Sequence, residues 1–202
     1  MEWKLKSIDK ETNHRFLNFY VLHYAVRREG KESDYPYFLA SRKEMDDLLV
    51  AKKGALRPDG VLILAVTEEA DPSVLLIEEF RPALNRYILA VPAGLMDDGD
   101  KDETMTAYRE AKEEAGVLLK DLRLLCPASP TSAGLSDELV AVVTGTIASK
   151  DTTHLEPFED IRAKLYPIKD LPALLQDEKA FIALNVRLSL LYLYERHYGG
   201  KR

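Results

Sequence analysis

The chain has 202 residues, 46% of them hydrophobic and 31% charged, with 34 acidic against 28 basic side chains and a formal net charge of −6. That length suits one sizeable domain or one domain plus a small appendage, and the balance is that of a soluble globular protein. The acidic excess argues against a general nucleic-acid-binding surface, which needs a basic stripe; the single cysteine, Cys126, excludes an intrachain disulfide and a multi-cysteine zinc site.

In chain order, MEWKLKSIDKETN lacks the apolar core of a signal peptide, and no later run is long enough to span a bilayer, so a cytoplasmic protein without membrane partners is expected. FLNFYVLHYAVRREG (16–30) alternates and is rich in aromatic and β-branched residues, which predicts a strand; YPYFLASRK (35–43) predicts a second. KKGALRPDG (52–60) reads as a boundary or a plain loop. The expected division is a β-rich segment over 1–52 and a main domain over 53–202. DGVLILAVTEE (59–69) and SVLLIEEFRP (73–82), joined by a turn-rich ADP, read as a hairpin-like pair. RYILAVPAGLMDDGD (86–100) is a strand running into a loop.

Helical periodicity then takes over. Asp100 followed by Glu103 has capping-box spacing, and Gly116 suits a C′ stop, so a helix over roughly 101–115 is predicted. LRLLCP and DELVAVVTGTIA follow as strands, with the Pro/Ser/Gly loop PASPTSAGLS (127–136) after the first. Cys126, closing an apolar run, is expected to be a buried, unreactive thiol. Beyond the polar loop THLEPFEDI (153–161) come a short strand, RAKLYPI, and two helices, the last (180–198) amphipathic. Strands separated by single helices indicate a layered α/β or α+β domain.

The stretch YREAKEEAG (108–116) raises the functional question. On a helix, Glu110, Glu113 and Glu114 project toward one side, and Arg109 can pair with Glu113 but leaves at least two acids uncompensated. Such a face is either simply solvated or it holds a divalent cation, since Mg²⁺ takes a few carboxylates, keeps waters and accepts phosphate oxygens.

The segment resembles the Nudix box: a Gly, five residues, a Glu, seven residues, then Arg-Glu, an apolar residue, any residue, Glu-Glu, any residue, Gly and an apolar residue. Here Gly94 is followed by Arg109-Glu110-Ala111-Lys112-Glu113-Glu114-Ala115-Gly116-Val117. The second half matches throughout. In the first half Asp100 stands where the Glu is expected, and the gap to Arg109 is one residue longer. IEEFRPALNRYILAVPAGL (77–95), AGLSDE (133–138) and EPFEDIRAKLYPIKDL (156–171) resemble segments of ADP-ribose pyrophosphatases and nucleoside diphosphate sugar hydrolases, with Ala90 where those usually carry a Glu and Ala133 where they carry a Pro.

The resemblance implies a Nudix-type α/β/α sandwich with a mixed sheet over residues 53–202, and a homodimer paired through the N-terminal strands. It implies Mg²⁺ or Mn²⁺ held by Glu110 and Glu114, with Glu113 assisting and the carbonyl of Ala93 completing the site. Arg109 would orient the glutamates. The general base would lie on a later loop: Glu159 is the first candidate and Glu156 the second, though each is also an ordinary loop acid. Arg81 would contact the base or phosphate of a nucleotide, or else snorkel at a strand end. Glu138 would bind ribose hydroxyls, or merely start a strand. Tyr20 and Tyr24 read as core or dimer contacts. The four histidines share no metal-ligand spacing, and only His154 lies beside the acidic loop.

The implied activity is Mg²⁺-dependent hydrolysis of the diphosphate linkage of ADP-ribose or a related nucleoside diphosphate sugar, a small-molecule partner. The alternative is a weakened Nudix module that binds such ligands as a sensor, motivated by the altered loop and Ala90. A purely structural α/β protein is the third reading.

Overall fold

The structure, a computed structural model, describes residues 1–199; residues 200–202, which the expected second domain includes, lie outside the described residues. The chain forms two compact units: residues 1–57 with 130–139, and residues 58–129 with the described residues from 140 onward.

In the first unit β1 (Glu2–Lys10), β2 (Asn18–Arg28) and β3 (Lys31–Ser41) form an antiparallel sheet in the order β1-β2-β3. Alternation on β2 puts Tyr20 and Leu22 on the same face, where they pack with Leu39 and Leu48, while Tyr24 lies against the edge of that cluster. Tyr20 is therefore core, and its hydroxyl donates to the Lys43 carbonyl at 2.7 Å. β1 is not predicted by local pattern, because a register shift between Leu5 and Ser7 breaks the alternation that would reveal it. The 130–139 segment is tied to β3 through Asp137, which accepts from Ser41 Oγ at 2.6 Å and from the Leu49 N–H at 3.0 Å.

The second unit is a three-layer sandwich. Its strands are β4 (Gly60–Val66), β5 (Ser73–Arg81), β6 (Arg86–Ala90), β7 (Ala93–Leu95), β8 (Val117–Pro130), β9 (Leu139–Lys150) and β10 (Ile161–Pro167). The main path is β10-β5-β4-β9-β8, with β6 on β5 and β7 on β4. β4 runs parallel to β9, and the other registered pairs are antiparallel, so the sheet is mixed. Among the described residues three α-helices complete the unit: α1 (Glu103–Ala115), α2 (Leu171–Gln176) and α3 (Leu184–Tyr198).

The continuous apolar run of β4 is explained by burial on both faces. Val61, Ile63 and Ala65 pack with Ala107 and Ala111 of α1. Leu62, Leu64 and Val66 pack with Val186, Leu190 and Leu193 of α3. The expected hairpin of β4 and β5 exists only at its turn, where Val66 registers with Val74. Beyond that point the two strands splay, and β6 and β7 fill the gap between them.

Three local expectations are corrected. The N-cap of α1 is Asp102, not Asp100: its carboxylate accepts from the Thr104 and Met105 N–H groups. α3 is apolar on more than one face, with Leu184 and Leu188 exposed opposite buried Val186 and Leu190, so it is not cleanly amphipathic. Cys126 is only partly buried, 3.6 Å from Ser129 Oγ, because β8 continues to Pro130 through residues expected to form a loop. Gly116 does end α1 in the left-handed region at φ 60°, and a Cβ there would lie 2.7 Å from the Asp151 carbonyl oxygen.

Candidate active site

The second unit gathers most of the predicted residues around one cavity. Glu110 and Glu114, one turn apart on α1, face β7, which the splay of β4 and β5 places beside the helix. A Cβ at Gly94 would lie 1.9 Å from the Glu110 carboxylate. Only a residue without a side chain lets that carboxylate lie against the β7 backbone. Next to it, the Ala93 N–H donates to Glu114 Oε2 at 3.0 Å.

Arg109 ties the helix to the preceding loop. Its Nη1 donates to Glu110 Oε1 at 2.7 Å and to Glu113 Oε2 at 3.3 Å; its Nη2 donates to the Leu95 carbonyl at 3.0 Å and to Asp100 Oδ2 at 3.1 Å. Glu110 is thus compensated as well as Glu113, more than helical spacing alone predicted. Asp100 sits inside this network: it also accepts from Thr106 Oγ1 at 2.8 Å and from the Asp97 N–H at 3.0 Å. Burial works against its charge, but these hydrogen bonds outweigh it and hold the carboxyl below the usual range. The shifted acid of the loop therefore still reaches the arginine.

The cavity, about 360 Å³, is lined by Arg109, Glu110, Glu113, Glu114, Glu156 and Glu159, with His154 at its edge. Glu159 and Glu156 are locked in one turn: the Glu156 N–H donates to Glu159 Oε2 at 2.8 Å, and the Glu159 N–H to the Glu156 carbonyl at 3.1 Å. Burial pushes the Glu114 carboxyl up to about 8; the Ala93 N–H opposes this, and the charges of Glu110, Glu79 and Glu159 add to it. Burial likewise raises Glu110 to about 7 against the pull of Arg109. Two carboxyls poised near neutrality in one cleft are what a functional site looks like electrostatically.

Arg81 and Glu138 are not among the residues lining this cavity. Arg81 is half exposed at the end of β5 and pairs with Glu79 at 2.9 Å. Glu138 belongs to the first unit, where it accepts from Thr131 Oγ1 at 2.8 Å and stands 3.7 Å from Arg42 Nε. Glu79 does not line the cavity either, but its charge acts on Glu114, which sequence reasoning missed. It is largely buried, its carboxyl is raised by burial despite Arg81, and its charge is felt by Glu114. The available signal was strand alternation in IEEFR, which puts Glu79 and Arg81 on the same face.

Among the described residues no three His, Cys, Asp or Glu side chains stand together as a finished metal-ligand set. Arg109 draws Glu110 and Glu113 to itself. The chemistry of the donors nevertheless fits a hard dication, since the cavity offers carboxylate oxygens, and Gly94 leaves room for Glu110 beside a strand backbone. The Gly94→Ala variant is expected to fold normally, because the group displaced is the end of a flexible side chain. It should lower dication affinity about tenfold or more by moving Glu110. Titration calorimetry with manganese checks this, and unchanged affinity would contradict it.

Residues 56–184 match the family described as the NUDIX domain. An ADP-ribose pyrophosphatase of Bacillus subtilis (strain 168) is 31% identical over 128 residues, covering 62% of this chain and 67% of that protein. An ADP-sugar pyrophosphatase of Mus musculus is 33% identical over 111 residues, 54% of this chain, which span only 50% of the mouse protein. A crystal structure of an ADP compounds hydrolase shares the fold at a TM-score of 0.72 and 20% identity, covering 100% of this chain and 97% of that one. The family match runs through well over half of the chain and takes in the acid-bearing helix, its glycine cradle and the loop of Glu159, and on that ground the chain belongs to the Nudix hydrolase family.

Proposed function

We propose that this chain hydrolyses the diphosphate linkage of ADP-ribose or a related nucleoside diphosphate sugar, giving a nucleoside monophosphate and a sugar phosphate, with Mg²⁺ or Mn²⁺ as cofactor. The observation that carries the reading is buried Glu114 with half-buried Glu110 beside Glu159 in one cavity. Nudix hydrolases generally use divalent metal ions, and the names of the relatives support a nucleotide-sugar substrate.

Glu110, Glu113 and Glu114, with the Ala93 carbonyl, would hold the ion. When bound, the ion neutralises diphosphate charge, polarises the P–O bonds and lowers the pKa of water. Arg109 orients the glutamates, for which its planar fork is suited. Glu159 takes the proton of the attacking water, whose oxygen forms the new P–O bond as the bridging oxygen leaves with the other phosphate. Arg81, at 2.9 Å from Glu79, is held at the end of β5 to meet an anionic part of the substrate. The sensor reading loses its motive in the loop, because Asp100 still binds Arg109.

Incubation with ADP-ribose and Mg²⁺ is expected to yield AMP and ribose 5-phosphate, with a panel of nucleotide sugars and dinucleotides ranking the substrates. Ligand-dependent thermal stabilisation without products would favour the sensor instead. A cytoplasmic location and a homodimer belong to the same reading. Trp3 and Tyr35 of the first unit are exposed and meet edge to face at 5.4 Å, an aromatic surface suited to a second copy, and a monomeric mass in solution would remove the dimer.

A further inference from the structure

A second polar cavity, about 180 Å³, lies on the α3 side of the sheet, the face opposite α1. Arg123, Arg196, His197, Thr144, Thr146 and Asp121 line it. It is too small for a drug-sized ligand, which needs roughly 300–1,000 Å³. That volume suits a single tetrahedral oxyanion.

Arg123 reaches this face through a local irregularity. Leu119 and Leu122, three apart, both pack on the α1 side, which strict alternation forbids. Between them Asp121 takes φ 54°, and beyond it Leu125 packs on the α3 side, the side that Arg123 shares. This irregularity turns Arg123 onto the α3 side of the sheet.

Part of the donor capacity of this lining is uncommitted. The Arg123 side chain has no hydrogen bond, ion pair or ring contact among the described residues, whereas Arg81, Arg109 and Arg162 are each paired with carboxylates. Arg196 spends one nitrogen on Tyr192 Oη at 3.3 Å. His197 Nδ1 donates to the Leu193 carbonyl at 2.8 Å, so in the neutral ring Nε2 is an acceptor and His197 forms part of the wall. Thr144 already donates to the Leu64 carbonyl at 3.0 Å and forms part of the wall, while Thr146 keeps its hydroxyl. The dipole of α3 accounts for cations in its last turn. It gives no reason for an unpaired arginine on β8 to line the same cavity in a chain of net charge −6.

We propose that this cavity is a binding site for a phosphate dianion, either inorganic phosphate or the phosphoryl group of a monoester, separate from the acidic site. Guanidinium groups match phosphate oxygens in geometry and charge. Asp121 at the rim limits affinity and so keeps binding reversible.

Titration calorimetry of the full chain in EDTA tests this, with dications absent so that the acidic site repels anions. Potassium phosphate is the probe, and potassium chloride at matched ionic strength the control. Saturable binding is expected. Arg123→Ala should weaken it about tenfold or more, and Asp121→Asn should tighten it. AMP and ribose 5-phosphate as further probes separate the sources: tighter binding than free phosphate identifies a monoester, and equal or weaker binding identifies the free ion. Acetate binding equally well would overturn the phosphate assignment. The absence of saturation at tens of millimolar, or affinity unchanged in both variants while their unfolding curves match the parent, would overturn the site.

Discussion

Replacing Glu114 with glutamine is expected to lower the rate of ADP-ribose hydrolysis by about 10²–10³-fold. The amide keeps an oxygen to accept the Ala93 N–H, so the helix stays docked on β7. What it removes is the charge, and a hard cation loses its most buried carboxylate. A concurrent rise in the dication requirement would place the loss at metal binding rather than at folding. Stability separates these cleanly: in metal-free buffer at neutral pH Glu114 already holds a proton, so the neutral amide mimics the state it replaces. The variant should therefore unfold at the same urea concentration as the parent or at a higher one. A glutamine variant with the parent's turnover would take Glu114 out of the chemistry altogether.

The second large effect is on stability against pH. In the unfolded chain the two glutamates ionise near 4.5; folded, Glu110 keeps its proton to about 7 and Glu114 to about 8. Between those limits the folded state binds more protons than the unfolded state, so stability falls as pH rises. Below about 4.5 both states are protonated and the penalty vanishes; above about 8 it is complete. Each tenfold difference in proton affinity between the folded and unfolded chain is worth about 1.4 kcal/mol. Both carboxyls act in the same direction, so the loss is a large share of a typical domain's stability. A dication can take the place of those protons. At 100 times its dissociation constant it returns about 2.7 kcal/mol. Urea unfolding from pH 5 to pH 9, in EDTA and in saturating magnesium, should give a falling curve in the first case and a flatter one in the second. Stability that rises with pH in EDTA would mean the acids are not buried together as described.

Both effects trace to residues legible in the sequence, and the reasons are specific. The spacing of Glu110, Glu113 and Glu114 fixes their common side on any helix, and Gly116 fixes its end, so α1 and its acids follow from periodicity. The run DDGDKD offered several capping acids, and local pattern could not choose among them. Tertiary structure does, because Arg109 claims Asp100 and frees Asp102 for the cap. β1 was hidden by its bulge, and the splay of β5 from β4 by a turn that looked like an ordinary hairpin. Glu79 was hidden for a different reason: its importance lies in burial, in the charge of Glu159 and in its own effect on Glu114 of α1, none of which the neighbours of a residue in sequence report.

The splay of the two strands has a kinetic corollary. Because the cradle of Ala93 and Gly94 is registered directly on β4, the innermost strand, and the Ala93 N–H is held by buried Glu114 of α1, the cradle leaves its place only when β7 parts from the sheet and the helix together. The acid-holding half of the cleft thus lacks a low-energy opening of its own, and heat inactivation should proceed in step with cooperative melting rather than ahead of it.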